Sequence, residues 1–406
     1  MTAAIAAVLV IGSGTPSQGK EIRVGMSAAF AGPTRGLGIE LYRGSMAYLT
    51  HVNENGGVFG RRIELVAYDD GYNPVPTIRN TIRLVEDDDV LMLFNYVGTP
   101  TVTRMLPLLK VYGARRDLFL FFPFSGAQPQ REGPYARYVF NLRASYGQEI
   151  ERLVNYLVSK GRSRIAVFYQ IDAYGRSGWE AVHKSLGKNG LRVVGEATYY
   201  RGTTYRASMK PQVKAIRASS PDSIISIGAY AACAAFIRDS RDSGLNLPIA
   251  NVSFVDSENM LKLLLKTGEK TGRDYTANLI NSQVVPSYDN TGLPAVAEYR
   301  DLMARYEVMP PKSLIKQDYE PHKYSPVSLE GFLNAKLLAE ILRRLGPDFH
   351  PKSVKSVVEG IKGYDLGIDV PVNFGPDKHQ GLDEVFLTTV EQGRFVPIQE
   401  QKKLRE

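Results

Sequence analysis

The sequence predicts an α/β protein of two similar lobes, each a largely parallel sheet covered on both faces by helices. Three observations carry this expectation. Short apolar, β-branched segments alternate with amphipathic stretches of about 10–15 residues, the pattern of parallel sheets with helical crossovers. That alternation runs through twice, the two runs separated by "YVFNLRAS" at 138–145. The chain has 406 residues, 44% of them hydrophobic, so it has material for more than one core.

The first run opens with the strand "EIRVGMSAAF" (21–30), and a helix follows over 40–53, where Leu41, Met46, Ala47, Leu49 and Val52 recur near helical spacing. The Gly-rich "ENGGVFG" (54–60) stops that helix, and "RIELVAYD" (62–69) is a second strand. A helix at 76–88, a strand at 90–97, a helix at 101–112 and the very apolar strand "LFLFFPF" (118–124) complete the run. The second run reads helix 147–160, strand 164–170, helix 175–189, strand 191–199, helix 207–219, strand 223–229, helix 231–243 and strand 248–255. A third section holds a strand at 276–285, helices at 294–306 and 328–345, an irregular exposed connection at 309–324 and a β-rich stretch from 372 to 398. In the helix at 328–345 the residues Leu329, Phe332, Leu333, Leu337, Ile341 and Leu345 form one apolar stripe, which Gly346-Pro347 ends.

Charge and composition narrow the function. The net charge of +8 is spread along the chain with no block of like charges, unlike the basic face or stripe of a nucleic-acid binder. A single cysteine, Cys233, allows neither an internal disulfide nor a thiolate metal site. The five histidines lack metal-ligand spacing, so no metal and no cofactor is expected. "GPTRGLG" (32–38) has its glycines in the wrong order for the dinucleotide fingerprint, and neither a Walker A loop nor a G-x-S-x-G elbow is present. Nothing calls for catalysis. Residues 3–11 form an apolar run too short to span a bilayer but of the length of a signal-peptide core, without the usual Lys/Arg before it. Either the true start lies upstream or the segment is no signal; residues 1–19 are read as a signal-peptide remnant, and the remainder as an exported, soluble chain.

Open α/β sheets bind ligands beyond the carboxyl ends of their strands. Two such loops, "VGTPT" (97–101) and "FSGA" (124–127), follow buried strands and are built of small and hydroxyl-bearing residues. Main-chain N–H groups with Ser/Thr hydroxyls, near a helix N-terminus, suit a carboxylate; helix capping by Thr99 or Ser125 is the simpler alternative for either loop alone. Tyr174, Tyr230 and Phe254 stand at strand ends of the second run, where aromatic rings could form apolar walls.

With these residues in view the chain resembles the periplasmic solute-binding proteins of ABC transporters, of the branched-chain amino-acid-binding type. "IRVGMSAAFAGP", "VNENGGVFGRRIELVAYDD", "SGAQP", "DAYGRSG" and "SLEGFLNAKLLAEIL" carry the resemblance over about residues 20–400 by their order and spacing. It implies two Rossmann-like lobes joined by a three-strand hinge, with crossings near 141–145, 284–288 and 370–374. The first lobe would combine 20–141 with 286–372, the second 142–285 with 373–406. It further implies that a hydroxyl and main-chain N–H groups at Thr99, Ser125, Gly126 and Ala127 hold a ligand carboxylate, Ala127 through its N–H alone, and that Tyr174 and Tyr230 cover the ligand. Gly98 and Leu37 fall at first-lobe contact positions. The acid that balances an α-ammonium in amino-acid binders falls at Phe254, and burying an unpaired ammonium costs several kcal/mol. Asp172, Asp256 or Glu258 would have to replace it. A tyrosine of the family falls near Leu37, and its disulfide falls at Tyr72 and Gly98. The implied partners are a small carboxylate and an ABC permease, with no nucleic acid, and the protein is expected to be a monomer in the periplasm. A sensory module on the same fold is the alternative, and a nicotinamide-dependent enzyme a more remote one.

Overall fold

The computed structural model describes residues 21–348 and 350–399; the apolar segment at 3–11 lies outside them. Among the described residues two large sheets and one small one form. The first sheet comprises β1 (Ile22–Ala28), β2 (Ile63–Asp69), β3 (Met92–Phe94), β4 (Leu120–Phe121) and β5 (Val139–Phe140), in the order β2-β1-β3-β4-β5. All four pairings are parallel, with β1 and β2 in register from Ile22↔Ile63 to Ala28↔Asp69. Its crossovers are α1 (Arg35–Glu54), α2 (Pro74–Glu86) and α3 (Thr99–Arg116).

The second sheet begins after α4 (Tyr146–Ser159). Its parallel part is β6 (Ile165–Gln170), β7 (Gly195–Tyr199), β8 (Ser223–Ile227), β9 (Ile249–Asn251) and β10 (Leu279–Gln283), crossed by α5 (Ala173–Lys188), α6 (Lys210–Ala218), α7 (Tyr230–Asp242) and α8 (Ser257–Thr271). Then α9 (Pro294–Tyr306), α10 (Pro326–Leu345) and α11 (Val354–Glu359) return to the first sheet's side, where α10 packs along α1. A small ribbon of β11 (Tyr364–Asp365) and β12 (Pro371–Val372) precedes β13 (Phe386–Glu391) and β14 (Arg394–Pro397), which add antiparallel to the second sheet, giving β14-β13-β10-β9-β8-β6-β7. The mostly parallel two-lobed α/β architecture expected from the alternation is therefore present.

Several strands are shorter than their apolar runs. In 118–124 only Leu120–Phe121 pair as strand: Phe122 turns to φ 52°, and Pro123 brings no N–H to a ladder. At 248–255 the strand stops at Asn251 and Ser253–Val255 coil into a 3₁₀ turn. The helix expected at 40–53 starts earlier, at Arg35, so the loop "AGPTRGLG" is half helical.

The hinge is also visible. Asn141 N–H donates to the His379 carbonyl at 2.8 Å, and the N–H groups of Gly381 and Leu382 return to Asn141 and Leu142 at 2.8 and 2.9 Å. The segment running beside the first expected crossing is thus 379–382.

Candidate ligand-binding cleft

Both strand orders reverse direction next to the first strand of the sheet, between β1 and β3 and between β6 and β8. Such reversal points leave a crevice at the carboxyl ends of the two strands. The residues that follow β1, β3, β6 and β8 are those the sequence marked, and the two crevices face each other.

On the first side, β3 runs into Gly98, whose φ of 104° belongs to glycine, and α3 starts at Thr99. From β4 the chain continues through Phe124 to Ser125, Gly126 and Ala127. The hydroxyls of Thr99 and Ser125 meet at 2.9 Å, and the N–H of Ala127 donates to Ser125 Oγ at 3.4 Å. All three residues are buried. A fourth group joins them that the sequence did not reveal: Thr99 donates to the hydroxyl of Tyr146 at 3.3 Å. Tyr146 is placed by a capping box in which Ser145 and Gln148 exchange hydrogen bonds, setting it as the first residue of α4. Burial raises its hydroxyl pKa to about 12, so it stays protonated and able to donate. Gly126 is required by this packing, since a Cβ there would lie 2.5 Å from Tyr146 Cδ1.

Aromatic rings from both sides close over these hydroxyls. Tyr174 lies 5.2 Å from Tyr146 and 4.6 Å from Phe254, and Phe254 lies 5.5 Å from Phe124 and 5.8 Å from Tyr72. Tyr174 is held where α5 begins by Asp172, whose carboxylate accepts its N–H at 2.9 Å. Beside the hydroxyl pair a cavity of about 550 Å³ opens between the N-terminal ends of α3 and α5, with Thr99 and Ala173 on its wall.

Other marked residues go elsewhere. Tyr230 is buried but sits at the far end of the cleft, where its hydroxyl accepts the Gly36 N–H at 3.4 Å. Leu37, in the first turn of α1, is wholly buried in the core. None of the three acids hydrogen-bonds to Thr99 or Ser125. Asp172 caps α5 and pairs with Arg201 at 3.4 Å. Asp256 caps α8 and accepts the Asn259 side-chain amide at 2.7 Å; burial raises its pKa to about 8. Glu258 accepts the Tyr288 hydroxyl at 2.8 Å, and burial raises its pKa to about 7.

The lobes touch across the cleft at further points. Gln170 donates to the Tyr72 hydroxyl at 3.3 Å. The 309–324 connection, expected to be exposed, is in part a strap: Tyr319 donates to Glu40 at 2.9 Å, accepts from Asn259 at 3.0 Å, and Glu320 pairs with Lys262 at 2.7 Å. Beneath it lies a second cavity of about 780 Å³ lined by Arg35, Tyr230, Lys262 and Tyr319, among others. Among the described residues no group of three His, Cys, Asp or Glu side chains could hold a metal, and no helix is long and apolar enough to cross a membrane.

Two Rossmann-like lobes with facing strand-end loops and a paired-strand hinge define a two-lobed solute-binding protein. The chain belongs to the periplasmic binding protein family, whose sequence pattern matches residues 21–394. It is similar to an amino acid binding protein of Pseudomonas aeruginosa, 24% identical over 226 residues; the match is 55% of this chain and 58% of that protein, so it spans less than two thirds of that relative. Its fold matches a substrate-binding periplasmic protein of Ralstonia solanacearum with a TM-score of 0.81 and 28% identity, covering 94% of this chain and 100% of that one. It likewise matches a possible leucine/isoleucine/valine-binding protein of Rhodopirellula baltica, with a TM-score of 0.82 and 27% identity over 95% and 98% of the two chains. These relatives are solute-binding proteins rather than enzymes.

Proposed function

We propose that the protein captures a small carboxylate-bearing solute in the periplasm and delivers it to the membrane permease of an ABC transporter. The observation that carries this reading is the hydroxyl pair of Thr99 and Ser125, 2.9 Å apart at the start of α3 and under the rings of Tyr174 and Phe254. Two hydroxyls, the main-chain N–H groups of 126 and 127 and a helix N-terminus offer donors to an anion and no charge to a cation. The rings would take its apolar body in place of their contacts with each other.

Each of the three acids that could balance an α-ammonium already has a partner: Arg201 for Asp172, Asn259 for Asp256, Tyr288 for Glu258. The reading therefore favours aromatic or aliphatic acids over α-amino acids. The first lobe would be 20–141 with 286–372 and the second 142–285 with 373–406. Ligand would bind the open form and favour closure through contacts made with both lobes. Delivery to a permease is supported by the transport role of the family.

Isothermal titration against benzoate, 4-methylpentanoate and L-leucine tests the reading. It predicts that one of the two plain acids binds more tightly than leucine and that Thr99→Val with Ser125→Ala weakens it at least tenfold. Unchanged affinity in the double variant would refute the site.

A further inference from the structure

The loop proposed to hold the anion is gripped from behind by one side chain outside the site. Arg131 follows the short 3₁₀ turn Gln128–Gln130. Its guanidinium donates to the carbonyl oxygens of Ser125 at 3.1 Å and Ala127 at 2.9 Å, through the same Nη1. Its other nitrogens reach the hinge: Nη2 donates to the Arg143 carbonyl at 3.1 Å and Nε to the Gln380 side chain at 2.9 Å. Gln130 repeats the grip, donating to the Ser125 carbonyl at 2.9 Å and to Asn141 at 2.7 Å. The two hinge segments holding these partners are hydrogen-bonded to each other.

Two physical consequences follow. In a trans peptide the C=O and the next N–H point in opposite directions. Fixing the carbonyls of Ser125 and Ala127 on one side therefore aims the N–H groups of Gly126 and Gln128 the other way, the first of these being one of the proposed donors; the Ala127 N–H shares its peptide with the Gly126 carbonyl, which the Tyr146 N–H holds at 2.8 Å. A cationic donor on a carbonyl also polarises the whole peptide unit and strengthens its N–H as a donor. Further, all four hydrogen bonds from Arg131 go to uncharged acceptors. No carboxylate bonds to it directly, Glu149 and Glu330 acting on it only through space, so its positive charge adds to the potential met by an anion on the loop's opposite face.

We infer that Arg131 is the positioning residue of the anion site: it holds the 125–127 loop in its binding geometry and ties that loop to the hinge, so that anion capture and lobe closure share one link. The inference rests on the carboxylate reading above.

The test uses the full chain, wild type against Arg131→Lys, Arg131→Gln and Arg131→Ala. Each is titrated with whichever of benzoate, 4-methylpentanoate and L-leucine binds wild type most tightly, and with the primary amide of the same compound, which lacks the carboxylate's negative charge. The inference predicts at least a tenfold loss of the acid in the Ala and Gln variants, partial recovery in Lys, and a much smaller loss of the amide. Lysine restores the charge but not the planar fork. Should Arg131→Ala fail to fold, Arg131→Gln answers the same question. Wild-type affinity in the Gln variant, or equal losses for acid and amide, would overturn the inference while leaving the carboxylate reading intact. A wild-type protein that binds none of the three acids would overturn both.

Discussion

The ring of Tyr72 occupies the space that a side chain at position 98 would need: a Cβ on Gly98 would lie 2.2 Å from Tyr72 Cε2. These are the two positions where the resemblance put the family's disulfide. Here a tyrosine laid against a glycine stands in its place, next to Thr99. Gly98→Ala combines a left-handed backbone with an overfilled contact and should cost at least about 2 kcal/mol, read as a lowered urea midpoint. Adding Tyr72→Ala should recover part of that loss, so the two effects should be less than additive. Full additivity would mean the two residues do not compete for space.

The buried network at the hinge gives a second prediction. Glu149 accepts the N–H of Ser253 at 2.8 Å, the hydroxyl of Ser282 at 2.7 Å and the guanidinium of Arg143 at 3.3 Å, while Arg143 also pairs with Glu330 at 3.4 Å. Glu149→Gln removes one charge from a cluster with almost no exposure and should destabilise by about 3 kcal/mol. Thermal unfolding would show it; a change below about 0.5 kcal/mol would place the pair among the inconsequential ones.

Acidity supplies a third. Burial raises the pKa of Asp256 to about 8, well above that of an unfolded aspartate. Between those values the folded protein binds more protons than the unfolded chain, so stability falls as pH rises through this window. Asp70, raised to about 7 chiefly by burial, acts in the same direction. Asp256→Asn keeps a neutral group at the α8 cap and should flatten the decline between pH 5 and pH 8. Chemical denaturation at the two pH values reads the difference, and an unaltered slope would exonerate Asp256.

The strap yields a fourth. Tyr319 lies between Glu40 on α1 and Asn259 on α8, so its hydroxyl helps hold the lobes together. Tyr319→Phe should shift the opening equilibrium and weaken ligand binding several-fold with little change in unfolding temperature. Small-angle scattering of the ligand-free protein should show a larger radius of gyration than wild type; identical profiles would deny the strap a role in closure.

The fold was legible because parallel strands buried on both faces are continuous apolar runs, and helices of one apolar stripe separate them. Thr99, Ser125 and Ala127 were legible as candidates because small and hydroxyl-bearing residues stand out immediately after such runs. Tyr146 was not: it follows a good N-cap, reads as an ordinary helix start, and is one of 23 tyrosines. The Ser145 and Gln148 capping box was the available signal, since it fixes where the first helical side chain stands. Tyr230 was grouped with Tyr174 because its place after β8 resembles that of Tyr174 after β6; it stands beside Gly36 rather than the hydroxyl pair, since chain position says nothing of how one lobe is rotated against the other. The roles of Tyr319 and Arg131 depend on partners far apart in the chain, which no local pattern encodes.

The central claim is most directly tested by a crystal structure of the protein with its tightest-binding carboxylate. The account predicts carboxylate oxygens at about 2.7–3.2 Å from the hydroxyls of Thr99 and Ser125 and the N–H of Ala127, with the body of the ligand against Tyr174 and Phe254. A ligand lodged instead beneath the strap, its carboxylate beside Arg35 or Lys262 and away from Ser125, would contradict it.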